Sequence, residues 1–262
     1  MIIDFHTHFY PENLAERAVE LCQSFGVMPA SDGTRSGLIV ELDRAGIDLA
    51  VGLPLANKPE NVSAINQWAL EQRSERITML GTIHPRSSES EEQIKWLHEN
   101  DFRGVKLHPE YQQFTFDEPG LEPLWRSLIK YNMFLLTHAG ADIGFAPPFH
   151  SNPESLAAFH RRWPELTLVL AHFGSWGMWE EVKTYLIGLP VYLDTSFLDG
   201  YVADEQIVEM IRSHGIDWVL FGSDSPWRDQ SRDVNFINRL PLTSEEKSKI
   251  FSLNAAKLLG NK

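Results

Sequence analysis

Histidine and aspartate residues stand directly after short apolar runs at several places in the chain. The first such run ends in Asp4-Phe5-His6-Thr7-His8. Side chains two residues apart on a strand point to the same side, so His6 and His8 can reach one metal ion, and Asp4 shares their parity. An imidazole or carboxylate buried after apolar residues is costly without a partner, and a shared metal ion is such a partner.

The same arrangement recurs further along the chain. Four more residues of this kind follow later apolar runs: His108, His138, His172 and Asp224. Neutral imidazoles together with a carboxylate are typical ligands of Zn²⁺, and Mn²⁺, Fe²⁺ and Ni²⁺ are the alternatives. The sequence therefore predicts a site for a divalent metal ion, with Zn²⁺ first among the choices, if the fold brings the ends of these runs together.

Eight short apolar runs, rich in β-branched and aromatic residues, are spaced along the chain. They begin near Ile2, Ile47, Ile77, Phe102, Met133, Leu166, Val191 and Trp218. Between them lie amphipathic stretches, the clearest at 59–73, 120–131, 204–214 and 243–260, and a glycine- and proline-containing segment at 26–37. Buried strands alternating with helices predict parallel pairing through right-handed crossovers. We expect an α/β fold, a single-domain (β/α)8 TIM barrel over residues 1–262, with an open doubly wound sheet as the alternative.

In such a barrel the functional groups collect at the carboxyl ends of the strands, where the histidines and Asp224 are predicted to lie. The net charge of −13 argues against nucleic-acid partners. The sequence has no apolar run long enough for a membrane span, and its single cysteine fits a reducing compartment. We expect a cytoplasmic protein that acts on a small molecule, with no membrane partner and with an oligomeric state that the sequence leaves open. Cys22 lies in an apolar stretch and is interpreted as a core residue.

These motifs together resemble the amidohydrolase superfamily, and specifically its amidohydrolase-related branch, which also includes carboxymuconate-semialdehyde decarboxylases. The resemblance covers nearly the whole chain. The segments that carry it are Asp4-x-His6-x-His8, Gly104-Val105-Lys106-Leu107-His108-Pro109, His138, His172, Asp194-Thr195-Ser196, Gly222-Ser223-Asp224 and Asn254-Ala255-Ala256-Lys257-Leu258-Leu259. These motifs are specific for the superfamily and much less so for a substrate.

The resemblance implies roles for five residues. His6, His8, His138 and Asp224 would hold one metal ion, and Asp224 would also take the proton from the attacking water. His172 would polarise the substrate or assist that water. Elementary chemistry agrees, because a divalent metal lowers the pKa of bound water towards about 7 and an adjacent carboxylate can move the proton.

Lys106 leaves the number of metal ions open. In binuclear members of the superfamily a lysine on the fourth strand is carboxylated and bridges two metals, so a second ion on Lys106, His138 and His172 is the alternative. The branch resemblance favours one ion and an unmodified lysine, which would bind a substrate carboxylate as a point charge. His108 and Trp176 are the further residues expected to line the substrate pocket.

Several polar residues outside this set are expected to be structural or solvated. Asp142 and Arg228 are interpreted as exposed loop residues. His98, His160 and His214 fall on predicted helices, where we expect them to be solvated.

The favoured interpretation is a metal-dependent hydrolase that attacks an amide, ester or lactone through a metal-activated water. The alternative within the same site is non-oxidative decarboxylation of a small carboxylic acid, in which Asp224 and His172 would move a proton. A phosphoesterase or nuclease is disfavoured, because Lys106-Leu107-His108 stands where a related deoxyribonuclease would place a glutamate. A barrel that binds a ligand without turnover is the non-catalytic alternative.

Overall fold

The strands of the protein were located in a computed structural model, which describes residues 1–260. They are β1 (Ile3–Thr7), β2 (Leu49–Gly52), β3 (Ile77–Met79), β4 (Gly81–Thr82), β5 (Gly104–Leu107), β6 (Phe134–Thr137), β7 (Leu168–Leu170), β8 (Tyr192–Asp194) and β9 (Val219–Leu220). Each pairs in parallel with the next along the chain, except that β3 and β4 are the two halves of one predicted strand. β3 pairs with β2, and β4 pairs with β5.

The last strand returns to the first and closes the barrel. The Phe5 amide donates to the Phe221 carbonyl over 2.8 Å, and the Asp224 amide donates to the His6 carbonyl over 2.8 Å. Thr7 and Ser225 form a further parallel bridge. Closure removes both sheet edges, so the predicted (β/α)8 barrel is confirmed and the open doubly wound sheet is wrong.

Helices surround the strands. They are α1 (Glu12–Ser24), α2 (Arg35–Ala45), α3 (Val62–Gln72), α4 (Ser90–Glu99), α5 (Pro109–Gln112), α6 (Glu122–Lys130), α7 (Pro153–Arg162), α8 (Trp179–Tyr185), α9 (Asp204–His214), α10 (Gln230–Arg239), α11 (Ser244–Ser248) and α12 (Asn254–Leu259). The predicted helix at 243–260 starts with a capping box of Thr243 and Glu246, and a π turn at Lys249–Leu253 joins α11 to α12. The predicted loop at 26–37 ends earlier, because Thr34 caps α2.

The core has two parts, separated by the wall of strands. Along β6, Leu135 packs in the larger part with helix residues such as Leu128, whereas Phe134 and Leu136 pack in a smaller part with Phe5 and Val169. Because side chains alternate across a strand, the smaller part fills the barrel interior. Within residues 1–260, no helix combines the length and apolar character that a membrane crossing requires.

Candidate metal centre and its cavity

The end of β1 positions His6 and His8 through a local irregularity of the strand. The register between β1 and β2 shifts between Asp4 and Thr7. His6 and His8 enter one cluster, but the predicted common orientation with Asp4 is wrong. The Asp4 carboxylate instead accepts hydrogen bonds from Ser223 Oγ at 2.5 Å and from Gln230 Nε2 at 2.7 Å. Asp4 therefore ties β1 to the segment that carries Asp224.

Three donor atoms converge at this point of the barrel. His6 Nε2 lies 3.2 Å from His8 Nε2, and Asp224 Oδ1 lies 3.2 Å from His6 Nε2 and 3.1 Å from His8 Nε2. Asp224 reaches them through a left-handed backbone, with φ 67°, a conformation that costs a non-glycine residue on the order of 1–3 kcal/mol. Gly222 allows the close approach, since a Cβ there would come within 2.9 Å of His6 Cβ.

The remaining ring nitrogens fix the tautomers of both histidines. His6 Nδ1 lies 2.8 Å from Asp194 Oδ2, and His8 Nδ1 lies 3.0 Å from the Leu53 carbonyl oxygen. An ionised carboxylate and a carbonyl can only accept, so each Nδ1 carries the proton and donates it. In the neutral rings each Nε2 is then a bare lone pair, and these two lone pairs face each other beside the Asp224 carboxylate.

A second pair of ring nitrogens shows the same pattern. Ser196 Oγ lies 2.5 Å from Asp194 Oδ1 and must donate its only proton there, so His172 Nδ1 donates to Oγ over 2.8 Å. His138 Nε2 donates to the Ala141 carbonyl over 3.2 Å. His172 Nε2 and His138 Nδ1 are therefore bare in neutral rings, yet they lie 3.2 Å apart. A cation between these lone pairs would remove their repulsion.

The electrostatics of the cluster also favour a cation. Burial alone would lower the pKa of His6, but the carboxylates of Asp194 and Asp224 raise it to about 9. Burial lowers the pKa of His172 to about 4, so a proton is not held there at neutral pH. Ligand atoms bound about 2.1 Å from one ion at tetrahedral or octahedral angles lie roughly 3.0–3.4 Å apart, which matches the spacings around His6. His6, His8 and Asp224 thus fit one divalent metal ion, and His172 also has a ring nitrogen within 4.8 Å of ligand atoms of His6 and Asp224.

Lys106 is buried beside this cluster, with 1% of its surface exposed. Burial lowers the pKa of its ammonium group to about 8, while the nearby carboxylates of Asp224 and Asp194 oppose that shift. Within residues 1–260, Lys106 is hydrogen-bonded through its backbone carbonyl, and its Nζ forms no hydrogen bond or ion pair. The structure therefore offers a positive charge at the bottom of the site to an anionic group from outside the chain.

His108 lies on the same wall but is not oriented towards the metal cluster. Its ring stacks on that of His138 at 4.1 Å with an interplanar angle of 9°, and its Nε2 lies 3.1 Å from Asp142 Oδ2. His108, His138 and Asp142 form a second group of potential ligands, in which one nitrogen or oxygen atom of each residue lies within 4.8 Å of the others. The interpretation of Asp142 as an exposed loop residue is wrong, because its carboxylate is largely buried against His108.

These residues form the floor of one cavity of about 1130 Å³ that opens to solvent. Lys106, His108 and Trp176 all line it. Arg228 lines it too, and its side chain is only 9% exposed, so its predicted place in an exposed loop is wrong. Cys22 is likewise a half-buried cavity residue and not a core residue. Burial raises the pKa of its thiol to about 11, which leaves it un-ionised.

Asp194 and Ser196 make hydrogen bonds to the cluster histidines, although sequence reasoning assigned them no role. Asp194 Oδ1 also accepts from the His172 amide at 3.0 Å and from the Ser196 amide at 3.1 Å, so one carboxylate orients two of the cluster histidines. Burial alone would raise the pKa of Asp194, but its histidine partners hold it well below the usual value. The sequence feature that could have identified both residues is the position of Asp194-Thr195-Ser196 at the end of the seventh predicted strand.

A family model described as Amidohydrolase matches residues 3–260. The match spans almost the entire chain, from the start of β1 to the end of α12, and includes every residue of the cluster. The chain therefore belongs to the amidohydrolase family of enzymes, as the motifs of the sequence indicated. No curated protein matches the chain.

Solved structures share the fold across the whole length of the chain. 5-Carboxyvanillate decarboxylase LigW from Sphingomonas paucimobilis has 14% sequence identity and a TM-score of 0.76, over 100% of this chain and 99% of that one. An uncharacterised TIM-barrel protein from Bordetella bronchiseptica has 20% identity and a TM-score of 0.78, over 99% and 98%. A dihydroxybenzoic acid decarboxylase from Polaromonas, with bound manganese and the inhibitor 2-nitroresorcinol, has 14% identity and a TM-score of 0.75, over 99% and 96%.

Proposed function

We propose that the protein is a metal-dependent enzyme that removes CO2, without oxidation, from a small aromatic carboxylic acid. The observation that carries the proposal is the buried ammonium group of Lys106 beside the histidine and aspartate cluster, on the floor of a cavity with aromatic walls. Two of the structural neighbours named above are decarboxylases of such acids. This ranks decarboxylation above the hydrolysis that the sequence favoured.

The metal ion would be held by His6, His8, His138 and Asp224, with His172 beside them. The structural neighbour with bound manganese supports Mn²⁺ as the first choice over Zn²⁺. A bound divalent ion would act as a Lewis acid that polarises oxygen atoms of the substrate. One ion and an unmodified Lys106 remain the proposed state, since the lysine is then free to act on the substrate.

The residues of this chain would perform three tasks. Lys106 would pair with the substrate carboxylate, an interaction strengthened by burial. Trp176 and His108 would place the aromatic ring, because flat side chains on the cavity wall restrict its orientation. The bond between the ring carbon and the carboxylate carbon breaks, CO2 leaves, and the electron pair on the ring carbon takes a proton. Asp224 and His172 would transfer that proton from water to the ring carbon.

Hydrolysis is the second candidate, favoured by membership of the amidohydrolase family and by the position of Asp224. The Asp224 carboxylate faces the two Nε2 atoms and lines a cavity open to solvent, so it can take a proton from water there. The substrate would then be an ester, amide or lactone with an acid group for Lys106.

The test is product analysis on a substrate panel. Enzyme loaded with Mn²⁺ or Zn²⁺ is incubated with hydroxybenzoates, aryl esters, lactones and bis(p-nitrophenyl) phosphate, and products are identified by mass spectrometry. We expect hydroxybenzoates to lose CO2. Turnover of esters or lactones alone would establish hydrolysis instead, and comparable turnover of the phosphodiester would restore the phosphoesterase alternative.

A further inference from the structure

Apolar side chains surround the mouth of the cavity. Nine large apolar residues in the described part of the chain are exposed, and six of them line this one cavity. We call these six the apolar rim: Leu14, Leu21, Phe25, Met28, Ile143 and Tyr201. Single exposed apolar residues are ordinary, but a contiguous group on a soluble protein marks a binding surface.

Helix α1 supplies much of the rim through one face. Leu14, Ala18, Leu21, Cys22 and Phe25 follow each other at helical spacing, and all of them line the cavity. Only Ala15 of this helix is buried. An amphipathic helix normally buries its apolar stripe in the core, whereas this stripe faces the space above the metal cluster.

The loop after His138 continues the rim beside the end of α1. Ile143 is 54% exposed, and a Cβ added to Gly144 would lie 3.5 Å from Phe25 Cζ, so this loop lies against the end of α1. The cavity thus runs without a break from charged, buried groups at the floor to apolar, exposed groups at the mouth. A molecule bound at the floor of the cavity can therefore extend to the apolar rim.

The volume of the cavity exceeds what one aromatic acid needs. Pockets of about 300–1,000 Å³ enclose drug-sized ligands, and this one measures about 1130 Å³. A lone substituted benzoate held at Lys106 would leave the rim exposed to water. We infer that the substrate carries an extended apolar substituent of several carbon atoms, which lies against the rim while its acid group lies at the floor. The inference rests on the proposed function only for the placement of the acid group.

Binding measured without turnover tests this inference. The probes are 4-alkylbenzoates from methyl to octyl, titrated calorimetrically into the metal-loaded enzyme. Each buried methylene is expected to tighten binding by about fourfold until the chain passes the rim. Leu21→Gln and Met28→Gln should flatten this dependence on chain length, and Leu21→Met should keep it. Affinity independent of chain length in the wild-type enzyme would overturn the inference.

Val40→Gln is the matched control. Val40 is 63% exposed on α2 and does not line the cavity, so this variant should keep the wild-type dependence. A loss of the dependence in Val40→Gln equal to that in Leu21→Gln would overturn the inference, because it would show a general surface effect.

Uncharged 4-alkylphenols separate this inference from the proposed function. If the benzoates do not bind but the phenols show the chain-length dependence and Leu21→Gln removes it, the apolar site stands and the proposed acid site falls. If neither series shows the dependence, the inference falls. Sedimentation velocity gives the last outcome: a wild-type dimer that Leu21→Gln dissociates would assign the rim to a second copy of the chain and overturn the inference.

Discussion

His6 donates from Nδ1 to Asp194 Oδ2 over 2.8 Å, although the two residues are 188 positions apart in the sequence. The contact joins the ends of the first and seventh predicted strands across the barrel. It also determines which ring nitrogen of His6 can bind a metal, since a proton on Nδ1 leaves Nε2 bare. The same carboxylate holds the His172 amide and the Ser196 hydroxyl, so Asp194 organises the cluster without being one of the proposed metal ligands.

Asp194→Asn should weaken metal binding by about 10- to 100-fold. An asparagine amide can donate to His6 Nδ1, which would move the ring proton to Nε2 and remove the lone pair from the cluster. Competition with a chelating dye measures the effect. Asp43→Asn, which changes an exposed carboxylate paired with Arg76, is the control and should bind metal like the wild type. Unchanged affinity in Asp194→Asn would show that the tautomer of His6 does not depend on this contact.

His6→Ala and His8→Ala should each retain less than about a tenth of the wild-type metal content after dialysis, because each removes one of three donor atoms at 3.1–3.2 Å spacing. Elemental mass spectrometry gives the content, and circular dichroism shows that the barrel is still folded. His98→Ala changes an exposed helix residue and should keep the wild-type content.

The wild-type protein is expected to carry one ion per chain. Two ions per chain would support the carboxylated form of Lys106, and full metal content in both histidine variants would contradict the proposed centre.

Asp224→Asn should lower turnover at least about 100-fold on every substrate that the wild-type enzyme accepts, since removal of a positioned acid or base typically costs that much. The measurement is kcat with metal content determined on the same sample, so that loss of the ion is separated from loss of proton transfer. A barrel that only binds its ligand would show no turnover in either protein and equal affinity in both.

Lys106→Met should weaken benzoate binding by about 10- to 100-fold, because a buried charged hydrogen bond is worth roughly 1.5–3 kcal/mol. Methionine keeps most of the length of the side chain and removes its charge. Binding of an uncharged phenol should change little. Lys95→Met, at an exposed lysine on α4, serves as the control. Equal benzoate affinity in Lys106→Met and the wild type would remove the observation on which the proposed decarboxylation depends.

The barrel could be predicted from the sequence because buried parallel strands are short and continuously apolar, and their order forces adjacent pairing. The barrel in turn predicts the position of the cluster, since the carboxyl ends of the strands meet on one face of the barrel. Local details of the fold and the site could not be predicted from the sequence. The irregularity between Asp4 and Thr7 depends on pairing with β2, and no spacing within the segment reveals it. Helix α1 was not singled out from the sequence, and its apolar stripe lines the cavity instead of packing into the core.

Burial of single polar residues was the least predictable feature. The sequence places His98, His160 and His214 on helices, but only His98 is exposed, so the predicted solvation of the other two is wrong. Arg228 and Asp142 follow strands in loops, as predicted, yet these loops fold over the cavity. Exposure depends on which neighbouring element covers a residue, and a helix or loop pattern in one segment does not contain that information.

His214 should make the stability of the protein depend on pH. Its Nε2 donates to the Val191 carbonyl over 2.8 Å, and its Nδ1 accepts from the Gly188 amide over 3.3 Å, so both ring nitrogens are engaged in the neutral form. Burial lowers the pKa of His214 below 6.5, and the hydrogen bond to Val191 opposes this only in part.

As the pH falls through 6.5, the unfolded chain binds a proton at His214 that the folded protein does not bind, so the free energy of unfolding falls. His214→Gln keeps a donor for Val191 without a titrating group. This variant should be less stable at pH 8, by about 1–2 kcal/mol, but should lose less stability between pH 7 and pH 5 than the wild type. Urea unfolding at each pH measures the stability at pH 8 and its loss between pH 7 and pH 5. His98→Gln, at an exposed histidine, is the control. An identical loss of stability with pH in His214→Gln and the wild type would show that His214 binds its proton equally in the folded and unfolded states.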